Sequence, residues 1–311
     1  LKYQSFVHLD KNSPPRFLAE YLTGRFTYYS YQDWVEKIHE GKIFVNGLPG
    51  KMDQMLSHGD HVEYQLNSSE LFEPAVNKDW KLLYQDRWLF IVDKPSDIPV
   101  HPAGGYRKNT LLTLLKETYP DLNFYPCHRL DRETSGVLVF ALDPETVSEM
   151  HSRFQKHRVE KEYLAIIFGK APEKFSVKGW IAREPRAGIR KKMKLFPAEV
   201  EDGKYSETDF YLESYKDGFS LLKCIPKHGR LHQIRSSLHS KGYPILGDKI
   251  YGPSDEAFLE FIEHGLTENV IKIAGHHRQA LHSHKLEFNH PKTDQLIKII
   301  SPLPEDLLGF V

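Results

Sequence analysis

The sequence predicts an α+β protein: a small α+β domain over residues 1–67, a linker over 68–79, and a larger domain over 80–311. The larger domain is expected to have a mixed, largely antiparallel central sheet flanked by helices. Three observations carry this expectation. The chain has 311 residues, which is about two domains at roughly 150 residues each. A polar stretch, Asn67-Ser68-Ser69-Glu70 followed by Pro74, separates two apolar-patterned regions. In the second region strand-like runs outnumber helical ones, without the strict alternation of βαβ units.

Taken in order, Arg16 to Tyr21 has helical spacing of its apolar residues. So does Tyr31 to His39, where Trp34, Val35 and Ile38 share a face and Gly41 stands ready to cap. Lys42 to Asn46 is a short strand running into an Asn46-Gly47 turn. Gly59-Asp60 makes a second turn before His61 to Leu66, which alternates like a strand. In the larger region Leu82 to Tyr84 and Leu89 to Val92 read as strands. A long Pro- and Gly-rich loop follows from Pro95 to Gly105. Thr110 to Tyr119 is an amphipathic helix with Thr110 as its cap. Val137 to Ala141 is an uninterrupted apolar run, as expected of a buried strand. Glu145 to Phe154 is a helix, and Tyr163 to Phe168 and Leu221 to Ile225 are strands. Leu231 to Lys241 is a helix ending at Gly242, and Leu296 to Ile300 closes the sheet.

Composition excludes several function classes. Hydrophobic residues make up 40% and charged residues 27% of the chain, an ordinary globular balance. No run of about 18 apolar residues exists to form a membrane span. Cys127 and Cys224 are too far apart in sequence for a Cys-x-x-Cys pair. The first residues lack an apolar signal core, so a reducing cytoplasm is the expected location. There is no GxGxxG dinucleotide turn and no GxxxxGK phosphate loop, so no nucleotide cofactor is expected. The formal net charge is +0, yet charge is segregated. From His151 to Leu195 there are thirteen Lys or Arg against four Asp or Glu, whereas Asp255 to Glu268 carries acids without Lys or Arg. The basic tract reads equally as a phosphate-attracting surface or as a solvated face. Among the 17 histidines the densest groups are His276-His277 and His282-Ser283-His284. Neither is completed by a recognisable zinc spacing, so no metal is expected. Ser135 lacks the GxSxG elbow of a serine nucleophile.

Two constellations could carry chemistry. The first is His128-Arg129-Leu130-Asp131-Arg132-Glu133-Thr134-Ser135-Gly136, a dense polar loop leading into the buried strand. Catalytic groups concentrate on such loops, and flanking cations would keep Asp131 ionised. The same residues also read as a salt-bridged, glycine-terminated turn. The second is His228-Gly229-Arg230-Leu231-His232-Gln233-Ile234-Arg235. As a helix it would turn Leu231, Ile234 and Leu238 inward with Arg235 nearby. An inward Arg requires a carboxylate partner, for which Asp131 is the candidate. A phosphate clamp is an equal reading.

Together these segments resemble the RluA-type pseudouridine synthases. His128 to Gly136 matches the HRLD-x-x-TSG signature. Gly229 to Arg235, then Gly242-Tyr243-Pro244-Ile245-Leu246-Gly247-Asp248, resemble GR-x-HQIR and GHPI-x-GD. Leu83-Tyr84 through Asp93-Lys94-Pro95, with Val100-His101-Pro102, resembles the first family motif. Lys161-Glu162-Tyr163-Leu164-Ala165 resembles the K-x-Y-x-A strand, and Ala280-Leu281-His282 and Ser301-Pro302-Leu303-Pro304 the closing segments. The resemblance covers about Leu82 to Leu307. In front of it, Gly41 to Gly47 followed by Gly59-Asp60-His61-Val62 resembles the α-L RNA-binding domain. Departures are Leu231 where the family has Thr, Ser236-Ser237 where it has Val-His, and the aromatic stretch Tyr28 to Tyr31.

The resemblance implies isomerisation of uridine to pseudouridine in structured RNA: the N1–C1′ bond breaks, the base rotates, and it rebonds through C5. No cofactor is needed. Asp131 would act at the ribose, Arg235 would pair with it, and Tyr163 would stack on the uracil. The base must leave its stack to be reached, and Arg129 would fill the vacated space. His128, Leu130, Arg230, His232 and Gln233 would contact substrate, and Arg190, Lys191 and Lys192 phosphates. Ribosomal RNA is the expected target and transfer RNA the second, with a catalytically silent RNA-binding protein as the competing class. A monomer is expected.

Overall fold

The computed structural model describes residues 2–7, 16–26, 29–65, 73–103, 105–184 and 192–311. The chain divides into two compact units. The first comprises Leu1–Ala75 and Pro102–Asn109, the second Val76–His101 and Thr110–Val311. The sequence places no second crossing at 102–109. The structure associates that segment with the first unit, where the Glu73 carboxylate accepts the backbone N–H groups of Lys108 and Asn109.

The first unit contains β1 (Lys2–Phe6), β2 (Arg16–Phe17), α1 (Leu18–Arg25), α2 (Tyr31–His39), β3 (Ile43–Val45), β4 (Leu48–Pro49), β5 (Met55–Leu56) and β6 (His61–Gln65). Arg16 and Phe17 are extended rather than helical, because they pair with β5 before α1 begins. Helix α2 starts at a capping box: Ser30 Oγ accepts from Asp33 N, and the Asp33 carboxylate accepts from Ser30 N. Asn46 and Gly47 both have positive φ, +52° and +81°. This is the turn that an Asn-Gly pair favours, and it reverses β3 into β4. The four-stranded sheet runs β1-β6-β3-β4. Leu18, Leu22, Trp34, Ile38, Ile43, Val45, Val62 and Tyr64 form the core of this unit.

The second unit contains β7 (Lys81–Gln85), β8 (Leu89–Lys94), α3 (Leu111–Thr118), β9 (Tyr125–Pro126), β10 (Ser135–Ala141), α4 (Pro144–Gln155), β11 (Val159–Phe168), β12 (Lys174–Arg183), β13 (Met193–Phe196), β14 (Lys204–Lys216) and β15 (Phe219–Pro226). These are followed by α5 (Gln233–Ser240), α6 (Glu256–His264), α7 (Glu268–Ala274), β16 (Leu281–Asn289), β17 (Leu296–Ile300) and α8 (Glu305–Leu308). Among the described residues its sheet has eleven strands, ordered β13-β12-β14-β15-β11-β16-β10-β8-β7, with β17 paired to β16 and β9 to β10. The β10–β16 pair is parallel and the other pairs are antiparallel, so the sheet is mixed and largely antiparallel.

All seven residues of β10 are buried. Leu138 and Phe140 pack with Leu111 and Leu115 of α3, while Val137 and Val139 pack with Met150 of α4. Covered on both faces, this strand needs no polar alternation, which explains its continuous apolar sequence. Burying each such side chain contributes about 1.5–3 kcal/mol. Helix α5 lays Ile234 and Leu238 against Ala165, Phe210, Leu222 and Cys224 of β11, β14 and β15. No helix among the described residues is long and apolar enough to cross a membrane.

Candidate active site

The loop of residues 128–134 is fastened before β10 begins. Lys94 is fully buried, and its ammonium donates to the carbonyl oxygens of Pro95 (2.8 Å), Ile98 (2.9 Å) and Arg132 (3.0 Å). Burial pulls this ammonium down to about 7. Thr134 N donates to Asp131 O at 3.1 Å, closing the turn around the carboxylate. Gly136 then takes φ +109°, and a Cβ there would lie 2.2 Å from Ser283 O. Only glycine permits this approach of β10 to β16.

Asp131 Oδ2 accepts from Arg235 Nη1 at 2.7 Å. The rest of that guanidinium grips Asp248 in a two-bond fork, Nε to Oδ2 at 2.6 Å and Nη2 to Oδ1 at 2.8 Å. Asp248 is in turn oriented by the backbone N–H groups of Ile250 and Tyr251, both at 3.0 Å. The Tyr251 ring centroid lies 5.1 Å from the guanidinium carbon. The side chain of Asp248 is 0% exposed and that of Arg235 6%, whereas Asp131 retains 23%. The outermost member of a buried ion triad therefore faces outward.

Burial alone would raise the Asp131 carboxyl. The charges of His232 and Arg235, with hydrogen bonds from Arg235 and Gln279, reverse this and hold it at about 2. His232 lies 3.9 Å away, but burial and the Arg235 charge bring its own imidazole down to about 4. At neutral pH the Arg235 guanidinium is therefore the cation that keeps Asp131 ionised. Burial, with the Asp131 charge adding to it, pushes the Tyr163 phenol up to about 12. Tyr163 is partly exposed and packs against two of the core clusters.

The structure thus brings Asp131, Arg235, His232 and Tyr163 together. Arg129 is exposed, with no side-chain partner among the described residues. Arg132, the other flanking cation, turns instead to Asp97 at 3.3 Å and Glu133 at 2.7 Å. Four residues expected at RNA are used inside the protein. His128 Nε2 accepts from Val139 N at 3.2 Å, and burial holds its imidazole down to about 3. Leu130 is 6% exposed and packs with Phe90 and Leu138 in the core. Gln233 spends its amide on Glu207 O and Thr208 Oγ1, both at 3.0 Å, and on Arg230 N. Lys192 is 8% exposed and pairs with Asp255 at 2.6 Å. Arg230 Nε donates to Tyr205 O at 3.1 Å. Arg190 and Lys191, like Tyr28, lie outside the described residues.

Three participants were not singled out by sequence reasoning as site residues. Asp248 had a signal, since it ends the Gly242–Asp248 motif. Tyr251 bonds His232 Nδ1 at 3.0 Å, and Gln279 bonds Thr134 Oγ1 at 2.6 Å; neither had one. Of the histidine groups, His282 is a buried pin between Ser135 Oγ (2.9 Å) and Ser301 O (3.0 Å). Among the described residues His276, His277 and Asp306 have donor atoms close enough to hold a metal ion. Arg278 already grips the Asp306 carboxylate there, at 2.6 and 2.9 Å.

Comparison with known proteins identifies the family. Residues 88–240 match the model of the RNA pseudouridylate synthase family. The chain is 32% identical over 293 residues to ribosomal large subunit pseudouridine synthase D of Xylella fastidiosa, covering 92% of this chain and 85% of that protein. It is 32% identical over 253 residues to the mitochondrial tRNA pseudouridine(32) synthase of Saccharomyces cerevisiae, covering 80% of this chain and 52% of that protein. The solved structure of human RNA pseudouridylate synthase domain containing 1 superposes with a TM-score of 0.59 at 25% identity, over 74% of this chain and 86% of that one. The chain belongs to the RNA pseudouridylate synthase family, enzymes that isomerise uridine to pseudouridine.

Proposed function

We propose that the protein modifies uridine in ribosomal RNA and that Asp131 acts at the ribose of the target nucleotide. The supporting observation is the ion triad, in which Arg235 is fixed from behind by Asp248 and leaves one ionised, partly exposed carboxylate. An ionised carboxylate can attack C1′ or take the C2′ proton. In this reading Tyr163 stacks on the uracil and Arg235 positions Asp131. Arg129, exposed and without a side-chain partner among the described residues, enters the space the flipped base leaves. Arg230 and the basic run around Arg190 and Lys191 contact phosphates, and His232 borders the nucleotide. The first unit acts as an α-L type RNA-binding domain. The relative named as acting in the large ribosomal subunit supports ribosomal RNA, and the one named for tRNA makes that the second reading. Both cysteines are buried free thiols, which suits the cytoplasm, and a monomer is the working oligomeric state.

The test is tritium release from C5-tritiated ribosomal and transfer RNA transcripts by the protein and by its Asp131→Asn variant. Release from ribosomal transcripts that falls to background in the variant is the expected result. Release that persists in the variant would remove Asp131 from the mechanism.

A further inference from the structure

Four rings form a row across neighbouring elements of the second unit's sheet. Trp180 on β12 stands directly opposite Tyr205 on β14, with ring centroids 5.7 Å apart. Tyr205 meets His228, just past β15, at 5.6 Å. His228 meets His157, in the turn before β11, at 5.0 Å. Such rings ordinarily pack under an apolar cover. Here Tyr205 is 38% exposed and His157 is exposed too. His228 Nδ1, itself buried, finds no hydrogen-bond partner among the described residues, which carries a desolvation cost.

Cations surround the row. Lys161 Nζ donates to His228 O at 3.0 Å and Arg230 Nε to Tyr205 O at 3.1 Å. Neither side chain has a carboxylate partner among the described residues. The two cations are thus tied to neighbouring rings of the row, and burial, with the Arg230 charge, brings the Lys161 ammonium down to about 8. Lys156, next to His157 in the chain, is exposed and forms no ion pair among the described residues. Lys161 and Tyr163 are two residues apart on β11, about 7 Å along the strand, although the pairing with β16 shifts register between Glu162 and Tyr163. That spacing is close to one nucleotide step from the ring proposed to meet the uracil.

We propose that the exposed rings of Tyr205 and His157, each set edge to face against His228, form a stacking platform for an unpaired nucleotide next to the target uridine, with its phosphate held between Lys161 and Arg230. Aromatic faces joined to cations are how single strands are gripped without reading sequence. The platform rests on the RNA reading above and adds a second base-binding position to it.

The test uses the full chain and hexauridylate carrying one 2-aminopurine, whose fluorescence falls when it stacks. Wild-type protein should quench the probe. Tyr205→Phe, which keeps the ring, should quench it and bind within about twofold. Tyr205→Ala should lose the quenching and bind about tenfold more weakly, the scale of one lost base–aromatic stack. His157→Asn, which removes a ring while tolerating the left-handed backbone at φ +56°, should weaken binding in the same sense. Thermal melting of each variant identifies any that fail to fold. Quenching retained by both ring-deleted proteins, or absent with wild type, would overturn the platform. Tritium release abolished by Asp131→Asn alongside unchanged quenching in Tyr205→Ala rejects the platform and keeps the proposed function. Ring-dependent quenching without release from any transcript does the reverse.

Discussion

Arg235 is bonded on both sides, and that fixes what its replacement should do. Arg235→Ala would leave Asp248, with a fully buried side chain, facing no cation. Removing one partner of a buried pair costs about 3–5 kcal/mol, so the midpoint of urea denaturation should fall accordingly, with loss of tritium release. Arg235→Lys keeps the charge but cannot form the fork to Asp248 while also reaching Asp131. It should recover part of the stability and little of the activity. Equal activity in the Lys variant and the wild type would show that charge alone suffices. The sequence could suggest Asp131 and Arg235 as partners because each sits in a dense polar segment. It could not show the contact, which joins residues 104 positions apart. The neighbouring arginines point the wrong way as a clue: Arg129 faces outward, and Arg132 serves Asp97 and Glu133.

At the scale of the element, the parallel β10–β16 pair carries the site. A methyl at Gly136 would strike Ser283 O, and φ +109° is strained for any other residue. Gly136→Ala should therefore cost at least about 2 kcal/mol and lower the melting temperature, with activity falling because Asp131 is held by the same turn. A variant that melts like the wild type would mean the two strands can part without consequence. Of the strands read from sequence, β8 and β10 are plain from their burial, whereas β7 and β17 were read although neither holds a buried residue. Strand β10 is buried throughout and apolar from Val137 to Ala141, and β8 has five of its six residues buried. The long β12–β14 pair was missed for a physical reason. Its inner positions mix Gly179, Ser206 and Thr208 with Val177, Ile181 and Phe210, which interrupts the apolar alternation, and its outer positions carry charge. Helix α6 went unread because acids are interleaved with its apolar positions, and α7 because seven residues span barely two turns. The first helix was placed two residues early, since pairing with β5 holds Arg16 and Phe17 extended.

For the whole molecule, the histidines set the response to acid. Burial holds His128 at about 3 and His232 and His282 at about 4, against 6.5 for the free side chain. Below about pH 6.5 the unfolded chain takes protons that the folded chain refuses until about pH 4. Stability is therefore present in full above that window and is lost as pH falls through it. Urea midpoints should decline from pH 7 to pH 4.5, and His232→Gln should flatten part of the decline. An unchanged midpoint across that range would mean that these imidazoles are as accessible folded as unfolded. The parallel pairing has a consequence in time as well. The Ser135–His282 contact joins positions 147 residues apart. At about 5–20 residues per second, a ribosome adds the β16 segment roughly 7–30 s after the loop that carries Asp131. During translation the nascent chain would carry its reactive carboxylate unassembled, and the enzyme would come into being only as its last strands emerge.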